Sequence, residues 1–152
     1  MATSLATKTI IVEITSREEF HDLLKQNPGL IIIKLGAEWC GPCKRIKQQV
    51  YSFFSSSPPQ VVCADIDIDK IYPMPDGKTT FDLYTYLKNK RLTNGVPAIL
   101  CYKQGNTSFI PDDMLTGGDT EALNAFFKRC GMVHLPDVLG KQLAAAQQRI
   151  KK

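Results

Sequence analysis

Residues 39–43 read Trp-Cys-Gly-Pro-Cys, which sets two cysteines two residues apart. At this spacing the thiols can close a small disulfide ring and reopen it by exchange with another disulfide. The Pro-Cys-Lys that follows starts a helix, so Cys40 falls at the positive end of that helix. Unpaired backbone N–H groups and the helix dipole favour a thiolate there and lower the pKa of the attacking sulfur. Pro42 is tolerated at such a start because the first helical N–H groups have no intrahelical partner. Lys44 and Arg45 add positive charge nearby. The chemistry indicated is dithiol–disulfide exchange. Zinc binding is the competing use of a close cysteine pair, but zinc needs four ligands. The chain has no second Cys-x-x-Cys, and His21 and His134 stand alone, so neither a metal nor another cofactor is expected.

The elements that must position this motif are legible from pattern. Thr9 to Ile14 is a short β-rich run, and Ser16-Arg17-Glu18-Glu19 matches a capping box opening a helix with Phe20, Leu23 and Leu24 on its apolar face. Leu30 to Leu35 reads as a central buried strand running into the cysteine motif. The helix from about Cys43 carries Ile46, Val50, Phe53 and Phe54, and Gln60 to Asp67 is the next strand. A loop at 72–77 leads to a helix over about Thr79 to Arg91. Pro97 to Lys103 and Thr107 to Ile110 form a hairpin pattern around Gln104-Gly105-Asn106. Asp119 caps a helix with Leu123, Phe126 and Phe127, and Pro136 precedes a last candidate helix in the tail. The order β-α-β-α-β-α-β-β-α predicts an α/β fold, a mixed sheet covered by helices on both faces.

Composition sets limits on the function. At 152 residues the chain can bury the core of one domain without metals or a disulfide framework. Its net charge of +4 lies in the tail, where Lys141, Arg149, Lys151 and Lys152 face no acid. Neither a nucleic-acid partner nor a membrane partner is expected from so small a basic cluster. The longest apolar stretch, broken by Lys34, is far too short to cross a bilayer. The first charge is Lys8 and no secretory signal is read; five cysteines with one close pair suit a reducing compartment, the cytoplasm.

Ala37-Glu38-Trp39-Cys40-Gly41-Pro42-Cys43-Lys44 resembles the active-site segment of thioredoxins, over a match of about residues 9–130. The resemblance implies a thioredoxin fold with an insertion and a C-terminal extension. It divides the chain into a domain over residues 1–131, with an enlarged connection at 68–96, and a basic helical extension over 132–152. It also implies a protein-disulfide reductase in which Cys40 attacks a substrate disulfide and Cys43 resolves the mixed disulfide. Cys40 is expected at an exposed helix end and Cys43 shielded one turn in. In the family a proline with a cis peptide bond faces the disulfide, and Gly95-Val96-Pro97 holds that place. Trp39, Gly41, Pro42, Val96 and Pro97 are thus the expected positioning residues, with the Val96 backbone pairing an extended substrate. Protein disulfides are the expected substrates, thioredoxin reductase the expected donor, and a monomer or weak homodimer the expected state.

Two departures from the family matter. Thioredoxins usually place a buried Asp five residues before the Trp, where this chain has Lys34, and the family's partner lysine on the next strand aligns with Cys63. The Asp/Lys pair is therefore expected to be missing. A charged Lys34 would stabilise a thiolate and make the disulfide more oxidising, which favours disulfide oxidase or isomerase work. A Lys34 reaching solvent would do nothing chemical. The second departure is the added sequence. Tyr72, Phe81, Tyr84 and Tyr86 sit around the inserted helix, where packing explains them more simply than partner choice. A partner-binding or structural module is the rival from another class. Cys63 and Cys101 are expected as inert buried thiols, Cys130 as the extra exposed one. Asp65, Asp67 and Asp69 read as a solvated strand edge more simply than as a cation site.

Overall fold

The computed structural model describes residues 8–70 and 82–131. Five strands and four helices follow in the expected order: β1 (Ile10–Ile11), α1 (Arg17–Lys25), β2 (Leu30–Gly36), α2 (Gly41–Ser56), β3 (Val61–Asp67), α3 (Leu83–Asn89), β4 (Ala98–Lys103), β5 (Asp113–Thr116) and α4 (Thr120–Arg129). The sheet order is β1-β3-β2-β4-β5. β2 lies at its centre, parallel to β3 and antiparallel to β4.

Every residue of β2 is buried, as a run of Leu and Ile between two helical layers requires. Successive side chains of a strand point to opposite faces. Leu30 and Ile32 join Ile46, Val50 and Phe54 of α2 and Phe126 and Phe127 of α4 in one core. Ile31, Ile33 and Leu35 join Phe20 and Leu24 of α1 and Leu83 and Leu87 of α3 in the other. Full burial of each such side chain is worth about 1.5–3 kcal/mol. The same alternation sends Lys34 and Gly36 to the face covered by α2.

The helix starts are chemically specified. Ser16 Oγ accepts the Glu19 N–H at 3.0 Å and caps α1. Asp82 Oδ1 accepts the Tyr84 N–H at 3.0 Å and opens α3 at Leu83, later than the expected Thr79. The packing reading of the aromatics holds for Tyr86, edge-on to Phe109, and for Tyr84, packed against the second core. Tyr72, Phe81, the 72–77 loop and the C-terminal helix lie outside the described residues.

The hairpin needs correction. Its second strand is Asp113–Thr116, not Thr107 to Ile110. Residues 106–110 form a polar loop instead, because Asn106 Oδ1 takes the Ser108 N–H and Ser108 Oγ takes the Ile110 N–H. Such local side-chain bonds compete with a strand ladder. Asp112 completes the turn by accepting the Lys103 N–H at 2.7 Å.

Candidate active site

β2 ends at Gly36, and α2 begins five residues on at Gly41, with Cys40 as its N-cap. Cys40 Sγ accepts the Cys43 N–H at 3.1 Å, so the sulfur meets one of the helix's orphan donors directly. Cys40 and Cys43 form a disulfide with their Cα atoms 5.2 Å apart. Pro42 lies in the first turn of α2, where its missing N–H costs nothing.

Facing the disulfide is the Val96–Pro97 peptide, which is cis, with the Val96 carbonyl oxygen 3.5 Å from Cys40 Sγ. Two bonds hold this corner. Gly117 N–H donates to the Pro97 carbonyl at 2.9 Å, and buried Thr93 donates its hydroxyl to the Gly95 carbonyl at 3.2 Å. Because Val96 covers Cys40, that residue is as buried as Cys43 in the disulfide form. The expected difference in exposure is therefore absent, and the two sulfurs differ by surroundings instead. Cys40 meets the helix N-terminus and Val96; Cys43 meets Gly36 and a cavity beneath the motif.

Trp39, next to Cys40 in sequence, is 67% exposed. Its Nε1–H donates to Asp69 Oδ2 at 2.7 Å, and Asp69's own N–H is taken by Asp67 Oδ1 at 2.9 Å. On the other side, Arg45 donates through Nε and Nη2 to the Gly118 carbonyl, each at 3.2 Å. Arg45 thus ties the start of α2 to the loop before α4 rather than standing free beside the sulfur.

Lys34 is 5% exposed, so the expectation that it reaches solvent is corrected, and the β2–β3 register sets it opposite Asp65. Its Nζ pairs with Asp65 Oδ1 at 3.4 Å. The acid–base pair is present with its charges exchanged between the strands. Asp65 Oδ2 also accepts the Tyr51 hydroxyl at 2.5 Å. Burial, then the Asp65 hydrogen bond and charge, push the Tyr51 phenol well above its usual range, so it remains a donor.

The remaining thiols are free and buried. Cys63 and Cys101 are separated by β2, each opposite Ile32. Burial pushes the Cys63 thiol up. Cys130 is not the exposed thiol expected: it is 5% exposed, four residues after Phe126 on the core stripe of α4. A hydrogen bond with Cys101, followed by burial, drives its pKa up and keeps it protonated. Sequence reading missed Asp65, Tyr51 and Gly118 as site residues. The alternation of aspartates through residue 69 was the available signal, but it read as a strand edge. No cluster of metal-ligating side chains occurs among the described residues.

A redox-closed Cys-x-x-Cys at a strand-to-helix junction, faced by a cis-proline corner, defines a dithiol–disulfide protein on a thioredoxin fold. The thioredoxin family model matches residues 11–129, and the chain belongs to that family of thiol–disulfide oxidoreductases. It is 28% identical over 116 residues to thioredoxin 1 of Plasmodium falciparum, covering 76% of this chain and 93% of the relative. It is 25% identical over 111 residues to mitochondrial thioredoxin of Mus musculus, covering 73% of this chain and 57% of the mouse protein. Among solved structures, the thioredoxin of Trichomonas vaginalis superposes with a TM-score of 0.58 at 21% identity, covering 81% of this chain and 98% of that one. Among the described residues, no helix is long and apolar enough to cross a membrane.

Proposed function

We propose that the protein is a protein-disulfide reductase. The reduced Cys40 thiolate attacks a substrate disulfide; one substrate sulfur leaves with the bonding electrons and takes a proton, and the other stays bound to Cys40. The Cys43 thiolate then attacks Cys40 Sγ, forming the internal disulfide and releasing the second substrate thiol. The observation that carries this reading is the position of Cys40 Sγ, which accepts the Cys43 N–H at the N-cap of α2. That donor and the helix dipole stabilise Cys40 as attacking and leaving thiolate alike.

Trp39 and the Val96–Pro97 corner frame the sulfurs, while Gly41 and Pro42 are exposed between them. A substrate strand is held on the Val96 backbone against the Trp39 ring. Thioredoxins in general are recharged by thioredoxin reductase, and the same donor is assigned here. The protein acts as a monomer or weak homodimer in the cytoplasm, with no nucleic-acid or membrane partner. Trapping tests the reading. A Cys43→Ser protein incubated with a disulfide-containing protein such as insulin accumulates a mixed disulfide through Cys40, and a Cys40→Ser protein accumulates none. Equal trapping by both variants would overturn it.

A further inference from the structure

We propose that Lys34, Asp65 and Tyr51 form a buried positioning triad that holds an ammonium beside Cys43 and stabilises its thiolate during resolution. The proposal rests on the reading above that Cys43 is the resolving thiol. It follows from where Gly36 leaves space. A Cβ placed on Gly36 would lie 3.3 Å from Cys43 Sγ and 3.5 Å from Lys34 Nζ. Sulfur and ammonium are therefore no further apart than those two distances together, with no side chain at position 36 between them.

A buried cation is costly unless paired. Asp65 supplies the pairing from the side of β3, and the Tyr51 hydroxyl on α2 fixes the second carboxylate oxygen. Asp65 is thus held from two elements, and it holds Lys34 in turn. On the β4 side Lys34 meets Ile99, an uncharged neighbour. A cavity of about 410 Å³ runs from Lys34, Gly36 and Cys43 toward the surface. Its other charged groups are Lys44 and Lys47 on α2, Glu38 before it, and Asp67 and Lys70 at the end of β3. These are near balance in sign and sit on exposed or partly exposed residues, so Lys34 is the buried positive charge next to the sulfur.

The Cys43 thiol gives its proton to solvent through the cavity, and the ammonium stabilises the thiolate left behind without itself gaining or losing a proton. The thiolate forms the bond to Cys40 Sγ, and the Cys40–substrate bond breaks with its electrons going to the substrate sulfur.

The test titrates Cys43 alone. In a Cys40→Ser background, thiolate absorbance is followed against pH, with the Cys40→Ser/Cys43→Ser protein subtracted to remove the three buried thiols. Lys34→Met is expected to raise the Cys43 midpoint by about one to two pH units, the range for losing a close opposite charge. Asp65→Asn removes the neighbouring negative charge and is expected to lower it. Lys34→Arg is expected to keep the midpoint near its starting value. A pair that merely fills space gives shifts of one sign or none, and either overturns the triad. If Asp65→Asn does not fold, Lys34→Met against Lys34→Arg decides: equal midpoints overturn the proposal. The titration needs no turnover. A protein that reduces no disulfide overturns the reductase reading, and unshifted midpoints in an active protein overturn the triad alone.

Discussion

Trp39 and Asp69 lie thirty residues apart and meet through a 2.7 Å hydrogen bond from the indole Nε1–H to carboxylate Oδ2. The bond joins the loop after β2 to the turn after β3, and it orients a ring that is otherwise open to solvent. Asp69→Ala should leave stability within about 1 kcal/mol, the net worth of an accessible hydrogen bond. With substrate docked on the Trp39 ring as proposed above, it should raise KM for protein disulfides several-fold more than it lowers kcat. Steady-state insulin reduction checks the split. A fall confined to kcat would contradict the role given to Trp39.

Gly118 is constrained by close approach. A Cβ there would lie 2.8 Å from Pro42 Cβ and 3.1 Å from the Pro42 carbonyl oxygen, where no side chain end can swing away. Gly118→Ala should therefore destabilise by about 1–3 kcal/mol, as overpacking does, and slow disulfide reduction by displacing Pro42. Gly41→Ala is the control, since a Cβ there meets nothing within 4 Å. Urea unfolding of both variants makes the comparison. Equal stability would show that the loop before α4 gives way freely.

The Asp113–Arg129 pair carries a pH signature. Arg129 Nε donates to Asp113 Oδ2 at 2.8 Å, and that hydrogen bond holds the Asp113 carboxyl below its usual range. A depressed carboxylate pKa contributes stability in full above the unfolded value of about 3.9. The contribution is lost as pH falls through the lower folded value. Asp113→Asn should thus cost about 0.5–1 kcal/mol at neutral pH, the scale of a partly exposed pair. The gap should close in acid, which urea unfolding at neutral and acidic pH will measure. A gap independent of pH would assign the cost to packing.

Removing one partner of the Lys34–Asp65 pair strands a buried charge. Loss of one member of such a pair costs about 3–5 kcal/mol in a fully buried site. Asp65 keeps 18% side-chain exposure, which places Asp65→Ala toward the lower end. Thermal unfolding of Asp65→Ala against Lys34→Met/Asp65→Ala reads the coupling. The double variant should recover part of the loss, and purely additive effects would contradict the pairing.

The order of elements was legible because long periodic segments announce themselves. Leu30 to Leu35 could only be a buried strand, and the motif after it could only begin a helix. What local pattern could not supply was register. Opposite Lys34 stands Asp65, two residues beyond Cys63, and only the pairing of β2 with β3 fixes that. The true β5 was missed because Met114-Leu115 is too short to signal a strand, while the loop before it mimics one. Cys130 was legible in principle: Leu123, Phe126, Phe127 and Cys130 follow helical spacing, so the thiol turns inward with the phenylalanines. Gly118 was hidden because its constraint is a contact with Pro42, seventy-six positions away in sequence.

A redox titration in dithiothreitol buffers, followed through the fluorescence of Trp39, the single tryptophan, tests the central claim most directly. One reversible two-electron transition that vanishes in Cys40→Ser is expected, with a midpoint raised by the Lys34 charge above the thioredoxin value of about −270 mV but below about −180 mV. Absence of a transition would contradict the dithiol chemistry itself. A midpoint at about −180 mV or higher would contradict the reductase assignment and make disulfide formation or isomerisation the work of this site.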